Sequence, residues 1–213
     1  VSGAPHFDEP FRERFRDLLA WRRDVRRFQR TPLPPGLLRE LLGLACLAPS
    51  VGLSEPWRFV QVNAPERREQ IREEFQRANA EALAGYAGEQ AALYAGLKLS
   101  GLDCAPVQLA VFADRTTSQG SGLGRRTMPE TVEYSVVGAI STLWLAARTH
   151  GLGVGWVSLC EPERVHQILS VPAEWHLVAY LCVGYPEQEH ETPELQRAGW
   201  ERRNAAGFLL LER

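Results

Sequence analysis

The chain has 213 residues, enough for one substantial hydrophobic core and too few for two full-sized domains without a visible linker, so a single domain over 1–213 is expected. Hydrophobic residues make up 45% and charged residues 23%, which excludes a disordered chain. A formal net charge of −2 gives no general drive toward nucleic acid or an anionic membrane, so any phosphate recognition must come from a local arginine cluster.

Phe7, Phe11, Phe15, Leu18 and Leu19 recur at helical spacing, with Asp8 placed as N-cap and Pro10 in the first turn, so the chain opens on an amphipathic helix. An arginine-rich segment follows from Arg22 to Arg30. Pro34 and Pro35 then start a second helix carrying Leu37, Leu38, Leu41, Leu42 and Ala45, which Pro49 stops. Residues 48–57 form a loop. Trp57 to Val62 alternates as a strand, and Pro65 opens a long charged helix that Gly85 and Gly88 break in two. Val107 to Ala113 is a near-continuous apolar run, the pattern of a buried strand. The Gly-, Ser-, Thr- and Arg-rich stretch 114–130 is a long loop.

Val132, Val136, Ile140, Leu143, Trp144 and Ala147 share one helical face, and Val137, Ala139 and Leu145 widen it until little exposed surface is expected. Gly151 terminates this central helix. Val154 to Leu159 returns as a strand, Pro162 starts a short helix, and Leu177 to Val183 is the last buried strand. The polar tail from Tyr185 ends in Phe208, Leu209, Leu210 and Leu211, an apolar patch whose expected partner is a neighbouring subunit. Strands alternating with helices predict an α+β fold, a mixed β-sheet covered by helices.

Cys46, Cys104, Cys160 and Cys182 form no C-x-x-C pair, so reduced, buried thiols are expected rather than a zinc site or a disulfide framework. The histidines show no metal-ligand spacing, and no metal is expected. Neither a leader pattern nor a run of about 18 apolar residues is present, which predicts a cytoplasmic protein with no membrane or nucleic-acid partner. No G-x-S-x-G elbow supports hydrolysis, no G-x-G-x-x-G follows a strand, and the Gly120 to Gly124 run lacks the ending of a phosphate-binding P-loop.

Three constellations could carry chemistry. Arg22-Arg23-Asp24-Val25-Arg26-Arg27 sets four arginines around one carboxylate. Guanidinium donors match phosphate oxygens, and alternate residues of an extended segment point the same way, so Arg22 and Arg26 could share one anion. The same pattern also fits a solvated charged surface with Asp24 ion-paired. Ala48 to Trp57 offers backbone amides and small side chains suited to a polar ring edge or a polyol chain, or is simply a well-made turn. Gly151 to Leu159 has glycines that permit close backbone approach at a strand.

In this order, Arg22 to Arg26, Ala48 to Phe59, Gly122 to Glu130 with its Thr127-Met128-Pro129-Glu130, Gly151 to Leu159, and Tyr180 to Pro186 resemble the nitroreductase superfamily, over about residues 15–203. They look most like its BluB branch, the 5,6-dimethylbenzimidazole synthases. Asp24 stands where ordinary nitroreductases carry serine, Leu53 where they carry asparagine, and Glu55 where they carry glutamine. The resemblance implies a nitroreductase-like homodimer with FMN at the dimer interface. It also implies that Arg22, Arg23 and Arg26 embrace the FMN phosphate and pyrimidine side, with Arg203 completing the phosphate site. Ser50 and its neighbours, Ser54 among them, would line the ribityl chain, and Val25, Trp156, Val157 and Leu159 complete the implied flavin contacts. Asp24 and Ser158 match the polar positions used beside the reacting flavin.

The implied reaction is aerobic fragmentation of reduced FMN, with O2 as co-substrate, to 5,6-dimethylbenzimidazole and erythrose 4-phosphate for the lower ligand of cobalamin. A carboxylate near the ring can shuttle protons while a hydroxyl fixes their direction. Burial against flavin would raise the Asp24 pKa while adjacent arginines would lower it. NAD(P)H would act through a separate flavin reductase. Two other readings stand beside it: an NAD(P)H-dependent FMN nitroreductase or flavin reductase on the same FMN-binding frame, and a non-catalytic flavin carrier or interaction module, which the apolar tail suggests.

Overall fold

The computed structural model describes residues 3–204 and 207–213. Helix α1 spans Glu9–Trp21, and Asp8 caps it by accepting a hydrogen bond from the Phe11 N–H at 2.9 Å. No residue of α1 is buried, and Phe7, Phe11, Phe15 and Leu19 lie exposed along it. Helix α2, Leu37–Ala45, starts after Gly36, whose φ of 86° reverses the chain behind the two prolines. The expected start at the prolines is thus shifted past this left-handed turn. Strand β1 is Trp57–Gln61, and α3, Pro65–Ala84, is separated from α4, Gly88–Ala95, at the glycines that predicted the break.

Strand β2, Val107–Asp114, is buried along its whole length. The loop after it contains a 3-10 turn at Gln119–Gly122 and leads into α5, Thr131–Thr149. Strand β3 is Gly153–Val157, α6 is Pro162–Leu169, β4 is Trp175–Gly184, and a short α7, Glu194–Arg197, lies in the tail that reads as polar coil.

The strand order is β1-β2-β4-β3 and each neighbouring pair is antiparallel. The sheet is thus antiparallel rather than the expected mixed one. Strands β2 and β3 run parallel, joined by α5, but β4 inserts between them and turns both adjacent pairs antiparallel. A parallel pairing survives only as an isolated bridge between Asp24 and Val154.

Alternation along β2 explains the two-sided core. Val107, Leu109, Val111 and Ala113 face α2 and α5, with Leu41, Val136, Ile140 and Leu143 packed against them. Ala110 and Phe112 face the opposite side, with Ile71 of α3 and Val165 and Leu169 of α6. Across that second layer the buried Glu74 carboxylate accepts hydrogen bonds from Arg77 at 2.7 Å and from the Glu161 N–H at 2.9 Å, tying α3 to the start of α6. All four cysteines are free, but only Cys182 is fully buried, where burial pushes its thiol up to about 12; the other three are half-buried, short of the expectation.

Helix α5 also departs from expectation, because Tyr134 and Val137 are exposed, leaving an apolar stripe on its outer side. Phe208, Leu209, Leu210 and Leu211 are exposed as well. No helix among the described residues is long and apolar enough to cross a membrane, and no group of His, Cys, Asp and Glu among them could hold a metal ion.

Candidate functional site

Strand β3 is a sheet edge, and its unpaired backbone groups must be satisfied. The arginine segment does this: the Val25 N–H donates to the Val154 carbonyl at 3.0 Å, and the Trp156 N–H donates to Asp24 Oδ1 at 2.9 Å. This docking explains two glycines of the alternating run. A Cβ at Gly153 would lie 2.5 Å from Val25 Cγ2, and one at Gly155 would lie 2.1 Å from the Val25 carbonyl oxygen. The close approach these glycines permit is that of the chain's own Val25, its side chain at Gly153 and its backbone at Gly155.

The segment so held borders a cavity of about 300 Å³, lined by Arg22, Arg23, Asp24, Arg26, Lys98 and Trp144 and roofed by parts of 188–198. The roof is tethered: Arg148 pairs with Glu189 at 2.6 Å, Arg27 with Glu194 at 3.5 Å, and Arg23 Nε donates to the Glu191 carbonyl. Arg26 donates from Nε to Asp24 Oδ2 at 2.8 Å and from Nη1 to the Lys98 carbonyl at 3.0 Å. It is therefore the partner of Asp24 rather than the twin of Arg22 that alternation suggests. Asp24, its side chain 31% exposed, has both oxygens engaged, yet a carboxylate offers about four acceptor positions and so keeps capacity for a ligand.

Arg22 is different. Its guanidinium carbon lies 5.0 Å from the centroid of the Trp144 ring, and the guanidinium makes no hydrogen bond or ion pair to another described residue. Its pKa is held below the ordinary arginine value by burial first and by nearby Arg203 second, with Asp24 opposing. Arg23 is lowered in the same way, by burial, then Arg203, then Arg22. A guanidinium stays charged in proteins, so this clustering is relieved by a bound anion and not by proton loss. Arg203, carried by the exposed tail, lies near enough to act on the charges of Arg22 and Arg23.

The second constellation lies elsewhere. Val51 N–H donates to Ser135 Oγ at 3.0 Å, and Ser50 Oγ accepts from the Glu55 N–H at 3.1 Å, fixing the 50–55 loop against the start of α5. At about 1.5 Å of rise per residue, Ser135 and Trp144 stand roughly 14 Å apart along α5. Ser50 and Ser54 are therefore not brought to the arginine cavity within one chain. The loop is strained, with φ of 55° at Leu53 and 43° at Glu55, and Ser54 carries a buried hydroxyl with no partner. Gln119 Nε2 holds it from the facing loop, donating to the Leu53 carbonyl at 2.9 Å and to Glu55 Oε2 at 3.0 Å.

Of the remaining expected residues, Trp156 sits with its ring 6.4 Å from that of Trp144. Val157 is buried in the core layer shared with α6, which leaves only its backbone to a ligand. Ser158 is exposed just past the end of β3, outside the cavity lining, and Leu159 is half-buried. Sequence reasoning missed Trp144, which reads as one more member of the core face of α5, and the roof, which has no local pattern.

The nitroreductase family model matches residues 19–185. A 5,6-dimethylbenzimidazole synthase of Rhodospirillum rubrum is 56% identical over 199 residues, 93% of this chain and 94% of the relative. A second protein of that name, from Rhodobacter capsulatus, is 46% identical over 196 residues, 92% of this chain and 95% of the relative. Among solved structures, oxidised iodotyrosine deiodinase bound to FMN and 3-iodo-L-tyrosine superposes with a TM-score of 0.69 at 27% identity, covering 82% of this chain and 91% of the other. The match of the family model across both the arginine segment and the last strand, with near-full-length relatives, settles the family: this chain belongs to the nitroreductases.

Proposed function

We propose that this single-domain chain is an aerobic 5,6-dimethylbenzimidazole synthase, which consumes reduced FMN and O2 and releases 5,6-dimethylbenzimidazole and erythrose 4-phosphate for the cobalamin lower ligand. The observation that carries the reading is a carboxylate, Asp24, held at a cavity by the Trp156 N–H at 2.9 Å and Arg26 at 2.8 Å, in a chain 56% identical to a curated synthase.

The residues fit a flavin nucleotide. Arg22, Arg23 and Arg203 form a cationic group in want of an anion, and a phosphate monoester supplies one. The cavity is at the small end of the ~300–1,000 Å³ typical of ligand pockets, enough for part of a flavin nucleotide. The Ser50 to Glu55 loop, with its orphaned Ser54 hydroxyl, suits the rest, and a second copy of the chain is the natural means of bringing it there. The proposed working unit is accordingly a homodimer with the flavin between protomers, acting in the cytoplasm with reduced FMN delivered by a separate NAD(P)H-dependent reductase.

Reduced FMN supplies both the electrons taken by oxygen and the carbon skeleton of the product. The chain's contribution is to anchor and protonate. Arg22, Arg23 and Arg203 bind the phosphate, and Arg26 keeps Asp24 oriented. The Asp24 carboxylate takes up and returns protons at the flavin, with the Ser158 hydroxyl as relay; positioned proton transfer contributes about 10²–10⁴ in rate. An indole wall from Trp144, backed by Trp156, and an aliphatic one from Leu152 limit water.

Incubation with chemically reduced FMN in air, followed by mass spectrometry, is expected to yield the benzimidazole and the tetrose phosphate. Quantitative return of oxidised FMN with peroxide would overturn the synthase reading. Rapid NAD(P)H oxidation with nitroaromatic turnover would put a reductase in its place.

A further inference from the structure

We propose that Trp144 is a positioning residue for the phosphate end of the flavin nucleotide, acting on two consecutive arginines at once; the inference rests on the flavin reading above. The indole Nε1–H of Trp144 donates to the Arg23 carbonyl at 3.1 Å. The face of the same ring carries the Arg22 guanidinium, 5.0 Å from the centroid. One side chain therefore fixes the backbone at position 23 and the side chain at position 22. Arg23 closes the arrangement by donating from Nη1 to the Arg22 carbonyl at 2.6 Å.

The chemistry requires this residue type. A cation stacked on an aromatic face keeps its planar fork of N–H donors free at the edge, so stacking orders Arg22 without using the groups that would meet an anion. Tryptophan is the side chain that adds a ring N–H donor to a face of that size; phenylalanine has the face alone, and leucine has neither. Both arginines and Trp144 line the same cavity. The Arg22 guanidinium has no other hydrogen-bond or ion-pair partner among the described residues, so an unstacked guanidinium would be free to sample solvent. Helix α5 supplies rigidity, since its inner face is locked into the core by Ile140, Leu143 and Ala147.

Core packing alone would make a different prediction, and riboflavin separates the two because it lacks the phosphate. Oxidised FMN and riboflavin are titrated against the full-length protein by flavin fluorescence. The wild type is expected to prefer FMN. Trp144→Leu should lose about tenfold or more in FMN affinity with riboflavin affinity held within about twofold, and Trp144→Phe should lose about threefold, retaining the stack but not the indole hydrogen bond. An unchanged FMN-to-riboflavin ratio in these variants, or equal weakening toward both flavins, would overturn the assignment. Should Trp144→Leu fail to fold, the ratio measured with Trp144→Phe decides alone. A wild type that binds both flavins equally would remove the phosphate site itself and this proposal with it. Failure of the synthase reading shows separately, as absence of benzimidazole from a protein that still discriminates the two flavins.

Discussion

Asp24 holds two posts. Its Oδ1 substitutes for a strand partner at the edge of β3 by accepting the Trp156 N–H, while its Oδ2 takes Arg26, and the remaining lone pairs belong to the cavity. The first post is structural and the second is the one proposed to carry chemistry, and Asp24→Asn separates them. The amide oxygen can still accept from Trp156, but the amide NH₂ then meets the Arg26 donor, at a cost of about 1–3 kcal/mol. Binding of FMN should survive within a few-fold while benzimidazole formation falls at least ~10²-fold, as read by titration and by product analysis. Equal loss of both would make Asp24 a strut. Leu53 and Glu55 show a different economy of residues: both hold positive φ, which side chains of their kind seldom adopt, and the facing Gln119 secures the backbone there.

Strand β3 positions the cationic segment through what it lacks. With no side chain at Gly153 or Gly155, residues 24–26 lie flush along the sheet edge, and the register of that docking places Asp24 at Trp156. Gly155→Ala would put a Cβ 2.1 Å from the Val25 oxygen and must lift the segment away. The expected loss is roughly 2–4 kcal/mol of stability, from overpacking and broken hydrogen bonds, together with weakened FMN binding. Gly43→Ala in α2 is the control, since its Cβ meets nothing within 4 Å and helix propensity favours the change by up to about 1 kcal/mol. Thermal melts with and without FMN read both variants; matching melts would show that the edge docking does not hold the site.

At the scale of the molecule, the proposed ligand set is divided. The arginine cavity faces Trp144 while the Ser50 loop sits at Ser135, roughly 14 Å away along α5. Apolar surfaces are also left uncovered among the described residues, including the outer stripe of α5 at Tyr134 and Val137, the α1 phenylalanines, and Phe208 to Leu211. A second copy would cover such surfaces and complete the site in one step. Val137→Arg, which places a charge on the exposed stripe of α5, should yield a folded monomer by analytical ultracentrifugation and circular dichroism, and that monomer should fail to bind FMN. A wild-type monomer that binds FMN with full affinity would defeat the shared-site proposal.

Local signals carried much of this. The Asp8 cap, the break at Gly85 and Gly88, the buried run of β2 and the cationic cluster at 22–27 are written in neighbouring residues, because capping, helix breaking and side-chain periodicity act within a few positions of chain. The remainder depended on partners far apart in sequence. Insertion of β4 between β2 and β3 made the sheet antiparallel, and docking on β3 gave the glycines their purpose. The same packing turned Arg26 to Asp24 and set Trp144 beneath Arg22. Such contacts form only when separate elements close around one core, and no local pattern encodes which edge will meet which segment.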